Sequence, residues 1–272
     1  MPDIAGPETF SIEEWDCCSV MKTVPVPDDL SRYYQADVGI LMKSAPGRIH
    51  SVLKNILLSM ELNRILRRIE PGMFVDIGCG TGDFSRLIWS RGFPVLAVDS
   101  QPERPLLLKE RQDVPYARID YDRCRIENPG IRGCATAIIR HVLEHVKEPA
   151  MLLNNLRESG VSSFYVVVPN TGCFERRLFG RYWNLWDPPR HLWHFNSRSL
   201  FALFDRLGIR IVDRGTDTIP NWVPSFYRFL RLRRFPARFY ELFNPKGMIS
   251  SLSTPLNFLT PCNVLWVLGK AA

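Results

Sequence analysis

The chain has 272 residues, 46% of them apolar and 23% charged, which suits one large folded domain or two small ones and excludes a disordered or fibrous protein. Its net charge of +7 and pI near 9.2 suit an acidic partner surface without demanding one. No apolar run reaches the roughly 18 residues that would suggest a transmembrane helix. The first residues show no secretory pattern, and seven cysteines, with Cys17 and Cys18 adjacent, do not lay out a disulfide framework, so a cytoplasmic setting is expected.

Residues 1–47 read as an irregular leader, with prolines at 2, 7, 25 and 27 and no periodicity through residue 35. Residues 48–69 set Ile49, Val52, Leu53, Ile56, Leu57, Met60, Ile65, Leu66 and Ile69 at helical spacing, the stripe of a helix packed on a core and stopped by Pro71-Gly72. The apolar run 73–77 is a buried strand. It breaks at Gly78-Cys79-Gly80-Thr81-Gly82 and resumes as a helix with Phe84, Leu87 and Ile88 on one face. Strand, glycine turn and helix open a doubly wound α/β domain. The third glycine comes one residue too early for the dinucleotide fingerprint, and Asp76 and Asp83 flank the loop. Carboxylates there suit a positively charged ligand better than a diphosphate.

A second strand at 95–100 ends in Asp99, which lies 23 residues beyond Asp76. That is near the roughly 20-residue offset at which a carboxylate reaches a ribose diol; a helix cap is the alternative. Further strands are expected at 117–122, ending in Asp120-Tyr121-Asp122, at 135–139, and at 164–170. The stretch 179–195 is rich in Trp, His and Pro. A helix beginning at Ser197 buries Leu200, Phe201, Leu203, Phe204 and Leu207, and Gly208 closes it. Strands at 209–213 and 263–270 end the chain. Between them, residues 220–247 mix aromatics with arginines, as suits a lid, a membrane contact, a dimer face or a solvated basic helix.

Residues 73–84 resemble motif I of the class I S-adenosylmethionine-dependent methyltransferases. The resemblance extends over 48–270 and implies a doubly wound, mostly parallel seven-stranded sheet with a C-terminal antiparallel hairpin. It implies cofactor contacts at Asp76, Gly78, Cys79, Gly80, Thr81 and Gly82, ribose contacts at Asp99 and Ser100, and adenine contacts at Asp120 and Tyr121, with Arg140 and His141 completing the set. Leu143-Glu144-His145-Val146 is similar to a signature of small-molecule and lipid methyltransferases, including the ubiquinone-biosynthesis type. Some of those hold a divalent metal with E-x-x-E-H; here His141 stands first, and no metal is expected. Glu144 and His145 read equally as capping and packing residues. The H-x-x-E-H spacing also matches a metalloprotease motif, which its place after a strand in a nucleoside-binding pattern argues against.

Pro189-Arg190-His191-Leu192, followed by Phe195, resembles a segment that roofs the acceptor pocket in bacterial class I methyltransferases. It implies acceptor contacts at Tyr34, Trp183, Trp186, Arg190 and His194. His191 is a candidate general base beside His141; a loop histidine bonded to backbone is the alternative, and Arg190 could pair with Asp187 instead of substrate. Asp187-Pro-Pro-Arg190 lacks both the position and the aromatic of the DNA amino-methyltransferase motif, so nucleic acid is not expected. The leader resembles one that follows a zinc ribbon in some bacterial methyltransferases, but Trp15 replaces a ligand cysteine and no zinc is expected. The expected function is methyl transfer to a small-molecule, sugar or lipid-linked acceptor, at oxygen. The alternative is a non-catalytic protein that docks on a membrane or partner through 220–247. The acceptor and the oligomeric state stay open.

Overall fold

The computed structural model describes residues 9–15, 18–30, 33–34, 48–70, 72–109, 112–126, 131, 135–218, 222–233 and 262–271. Most of the 220–247 segment lies outside these. The chain divides into two compact units, both discontinuous: residues 1–33, 168–200 and 215–266 form the first, and residues 34–167, 201–214 and 267–272 the second. This differs from the linear division at residue 47.

The second unit is built on parallel strands: β3 (Phe74–Ile77), β4 (Val95–Asp99), β5 (Tyr116–Asp120), β7 (Ala135–Arg140) and β8 (Val161–Pro169). With β6 (Arg125–Ile126), β10 (Ile209–Asp217) and β11 (Val264–Ala271) the sheet runs in the order β10-β11-β8-β7-β3-β4-β5-β6. It is the expected seven-stranded sheet, with its antiparallel C-terminal pair, plus one short strand, β6, antiparallel to β5 at the edge. Strands β3 and β7 are buried almost throughout, as strands covered on both faces must be. The order reverses between β3 and β7, so the crevice for a ligand opens beyond their carboxyl ends.

Helix α1 (Arg48–Leu66) buries Leu58, Leu62 and Ile65, whereas Val52, Ile56, Leu57 and Met60 are exposed. Of the expected stripe Ile65 and Ile69 are buried, while the rest of the core contact comes from Leu58 and Leu62. The helix is apolar on two faces, and periodicity alone does not choose between them. Helix α2 (Asp83–Ser90) follows the glycine turn and buries Phe84, Ser85 and Ile88. Burying Phe84 and Ile88 contributes about 1.5–3 kcal/mol each. Helix α3 (Pro149–Glu158) starts with proline at its first position, where no N–H is needed.

In the first unit the leader is not irregular. Residues 11–24 form a hairpin of β1 (Ser11–Glu14) and β2 (Met21–Val24), and β2 pairs with β9 (Trp193–His194). Helices α4 (Phe174–Phe179) and α6 (Trp222–Leu232) pack on an aromatic cluster of Phe179, Tyr182, Trp183 and Trp186. A buried polar network supports them: Ser225 Oγ and Asn263 Nδ2 donate to the two oxygens of Glu175 at 2.7 and 3.0 Å. Helix α5 (Ser197–Arg206) begins where Asn196 Oδ1 accepts from Ser199 N at 2.9 Å, and Gly208 at φ +64° ends it, as expected.

Candidate active site

β3 ends at Ile77 and the next five residues turn. Gly78 has φ +68°, and a Cβ there would lie 2.3 Å from Val142 Cγ2 and 3.2 Å from the Tyr121 hydroxyl. Gly80 has φ +54°, and a Cβ there would meet nothing within 4 Å. Both need a left-handed backbone. Gly78 must be glycine because the loop is packed, and Gly80 leaves its backbone open to a ligand. Burial pushes the Cys79 thiol up, with Asp76 and Asp99 adding to it, so Cys79 stays protonated and lines the loop without acting as a nucleophile.

Four carboxylates surround the turn and do different things. Asp76 is buried inside β3 and accepts from Ser85 Oγ at 2.6 Å. Burial raises its pKa to about 6, against the opposing pull of the Ser85 hydrogen bond and the Arg140 charge. Asp99 Oδ2 accepts from Gly80 N at 2.9 Å and Oδ1 from Ser100 N at 2.8 Å, which latches the loop to the end of β4. Oδ1 also accepts from Gln101 N at 3.4 Å and the Ser100 hydroxyl at 3.5 Å, so it is Oδ2 that keeps a further lone pair for a ribose hydroxyl. Asp83 is neutralised. Burial pulls its pKa up, but Lys54 Nζ at 2.6 Å and the Thr81 hydroxyl outweigh that and hold it low. Asp83 is thus paired with a lysine, whereas Asp76 and Asp99 are held by a hydroxyl and by backbone N–H groups. Asp120 Oδ1 accepts from Asp122 N and Arg123 N at 2.9 and 3.1 Å and so closes its own turn.

Arg140 likewise is engaged elsewhere: its Nε lies 2.7 Å from Glu61 Oε2 and its guanidinium covers the Phe84 ring at 5.1 Å, tying α1 to β7. His141, just past β7, holds φ +55°, unusual for a residue with a Cβ, and its N–H donates to Val167 O at 2.9 Å. Its Nδ1 lies 3.5 Å from Glu144 Oε1. Glu144 is 1% exposed, and neither of its oxygens has a hydrogen-bond partner among the described residues. Sequence reasoning gave Glu144 a packing or capping role; a carboxylate buried in this way beside an imidazole is the signal it lacked. Tyr34 OH lies 3.0 Å from His145 Nδ1, which places the leader's last tyrosine against the 143–146 turn.

In the first unit the aromatic segment mostly packs. Trp183 is fully buried and Trp186 nearly so, the two rings edge to face at 5.3 Å, and Trp186 Nε1 donates to Gly180 O at 2.8 Å. The hydroxyl of Thr23 donates to His191 O at 2.7 Å and lies 2.8 Å from His194 Nε2. With its one proton committed, Thr23 must accept from Nε2–H, so His194 is neutral; burial pushes its pKa down to about 3. Trp183, Trp186 and His194, expected to contact the acceptor, instead build the core beneath β9. Arg190 Nη2 pairs with Asp187 Oδ1 at 2.7 Å, the second of its two readings. His191 Nδ1 lies 2.8 Å from Leu185 O and donates to it, and Nε2 lies 3.9 Å from Asp187 Oδ2. Replacing Thr23 by Val should destabilise the protein by about 2–4 kcal/mol in urea unfolding, because both His191 O and His194 Nε2–H lose their buried partner.

Residues 55–214 match the model of a family described as a methyltransferase domain. No curated protein matches the chain. Among solved structures, magnesium protoporphyrin IX methyltransferase from Synechocystis PCC 6803, with bound SAH, superposes with a TM-score of 0.55 at 12% identity, over 89% of this chain and 98% of that one. A SAM-dependent methyltransferase from Archaeoglobus fulgidus gives 0.48 at 16% identity, over 79% and 94%. At such identities the likeness concerns the fold, and the sheet order and the turn after β3 agree with it. The family model covers more than half of the chain, which belongs to the methyltransferase domain family.

Proposed function

We propose that the chain transfers the methyl group of S-adenosylmethionine to a hydroxyl oxygen of a small-molecule, sugar or lipid-linked acceptor. The observation that carries this reading is the open backbone at Gly80, in a turn that joins two carboxylates held by neutral donors, Asp76 and Asp99. A nucleoside bearing positive charge fits that donor set, and a diphosphate would be repelled by it. When bound, the cofactor would supply an electrophilic methyl on a sulfonium. Asp99 would accept from its ribose hydroxyls, Asp76 would balance its positive charge, and Tyr121 would stand beside the turn at Gly78. His141 is the group suited to take the acceptor proton: its Nδ1 lies 3.5 Å from the buried Glu144 carboxylate, which would orient the ring. His191, its ring held through Nδ1 by Leu185 O, is the second candidate. Catalysis would come mainly from holding the two reactants in line, since no covalent intermediate is needed.

Calorimetric titration with S-adenosylhomocysteine, with NADH as control, tests the cofactor site. The first should bind and the second should not. Asp99→Ala should lose about 100-fold in affinity, the equivalent of two hydrogen bonds to a charged group; an unchanged affinity would remove Asp99 from the site. Across a panel of labelled-methyl acceptors, His141→Asn should cut turnover at least about 100-fold and leave S-adenosylhomocysteine binding intact. Loss of both would make His141 structural.

A further inference from the structure

The first unit carries a surface that methyl transfer does not use. On α4, Phe174, Arg177 and Leu178 stand at i, i+3 and i+4 and so share one face. Phe174 is 61% exposed and Leu178 54%, while the same helix buries Glu175 and Phe179. Arg181 follows in the next turn, and α6, which packs against α4, ends in the exposed Leu232. Large apolar side chains are thus displayed next to arginines on a well-packed base.

The charges are arranged unusually. Arg181 Nη2 donates to the Tyr182 hydroxyl at 2.8 Å, and the Arg181 guanidinium lies 5.0 Å from that ring's centre. The Arg233 guanidinium lies 5.8 Å from the same ring and 5.4 Å from the Phe229 ring. Hydrogen bonding from Arg181 first, and from Arg233, holds the phenol below its ordinary range. Two guanidiniums therefore converge on one neutral hydroxyl, and among the described residues no carboxylate pairs with Arg177, Arg181 or Arg233. Two cations brought together without a counter-charge repel each other, and an incoming anion relieves that repulsion.

We infer that this face, Phe174, Arg177, Leu178, Arg181, Leu232 and Arg233, docks on an anionic lipid bilayer. The three apolar side chains would enter the headgroup–acyl boundary and the arginines would take phosphates. Phe174 and Leu178 one helical turn apart beside arginines match the layering of acyl chains beneath phosphates, which favours a bilayer over an acidic protein. The chain's net charge of +7 adds long-range attraction to the same surface. Of the described part of the region 220–247 that suggested membrane contact in the sequence, the end of α6 contributes to this face, and α4 supplies Phe174, Arg177 and Leu178. The inference does not depend on what the acceptor is.

The test is co-sedimentation of the full chain with vesicles of phosphatidylcholine alone and of equal parts phosphatidylcholine and phosphatidylglycerol. Binding is expected to the second only. Arg181→Gln with Arg233→Gln should weaken partition by about 25-fold, roughly fivefold per arginine, and Phe174→Ser with Leu178→Ser should weaken it as well. Arg67→Gln with Arg118→Gln, which removes the same charge from exposed positions in the second unit, should leave partition within about twofold. Equal loss in the two arginine pairs would reduce the effect to net charge and overturn the inference. So would absence of vesicle binding by the unaltered chain, and so would retention on immobilised polyglutamate without vesicle binding, which would assign the face to an acidic protein. S-adenosylhomocysteine affinity, measured alongside, reports whether each variant is folded, and its own failure would concern the methyl-transfer reading, not this face.

Discussion

Gly80→Val should abolish S-adenosylhomocysteine binding while leaving the protein folded, whereas Gly78→Ala should unfold or severely destabilise it. Both glycines have positive φ, so any replacement costs about 1–2 kcal/mol in backbone strain. Beyond that they differ. At Gly78 the new Cβ would sit 2.3 Å from Val142 Cγ2, and Val142 is itself buried, so it has little room to yield. Overpacking adds about 1–3 kcal/mol, for a total of roughly 2–5 kcal/mol out of the 5–15 that hold a typical domain together. At Gly80 the new side chain would project into open space and cost nothing more, but that space is where the ligand must reach the backbone. An affinity loss of 100-fold or more is expected there, with stability lowered only by the backbone strain of about 1–2 kcal/mol. Calorimetry and urea unfolding on the two variants separate the roles. If Gly80→Val bound normally, the open space would not belong to the ligand, and the proposed cofactor position would fall.

The parts of the fold legible in the sequence were those written in local pattern. The strands β3, β4, β7 and β8 are short apolar runs bounded by turn residues, and the glycine spacing after β3 identified the crossover that matters. The helix from Ser197 announced itself by a cap, a stripe and a closing glycine. What was not legible depended on partners far along the chain. The hairpin of β1 and β2 shows little apolar alternation, and its third strand, β9, pairs Trp193 with Lys22 from 171 residues away. Helix α1 has two apolar faces, and only the packed sheet decides that Leu58, Leu62 and Ile65 turn inward.

The site shows the same division. Residue type and spacing marked Asp76 and Asp99, because a strand end fixes where a carboxylate points. They did not reveal that Lys54 and Thr81 neutralise Asp83, that Arg140 is held by Glu61, or that Asp120 is turned back on its own loop. Each of those outcomes is a side-chain pairing set by the tertiary fold. Tryptophan and histidine between 183 and 194 drew attention as acceptor contacts because such residues are common in binding sites. They are equally the residues with the most surface to bury, and around Thr23 burial won.

Asp76→Asn should make the protein relatively more stable at high pH and poorer at binding its cofactor. The folded carboxyl has a pKa of about 6, against 3.8 for the ordinary group, so the native state holds its proton more tightly than the unfolded state. Below about pH 4 the group is protonated in both states and burial of a charge costs nothing. As pH rises to about 6 and beyond, the native state must carry a buried charge, a cost of roughly 3 kcal/mol at 1.36 kcal/mol per pKa unit. Asn carries no charge at any pH. Whatever the amide itself costs against Ser85 is independent of pH, so the stability of the variant relative to the unaltered chain should rise by about 3 kcal/mol between about pH 4 and pH 8. A family of urea curves measures this difference directly. Binding should move the opposite way. A ligand that brings positive charge to Asp76 favours the ionised form, so affinity for S-adenosylmethionine in the unaltered chain should fall as pH drops below about 6, by up to about tenfold per pH unit. The variant should bind weakly and show no such slope. A protein that gains stability from the exchange and loses its ligand would locate Asp76 in function, since a buried carboxylate that only weakened the fold would have no reason to be there. If affinity proved flat with pH in both proteins, Asp76 would not face the positive charge, and the balance at the loop would rest on Asp99 alone.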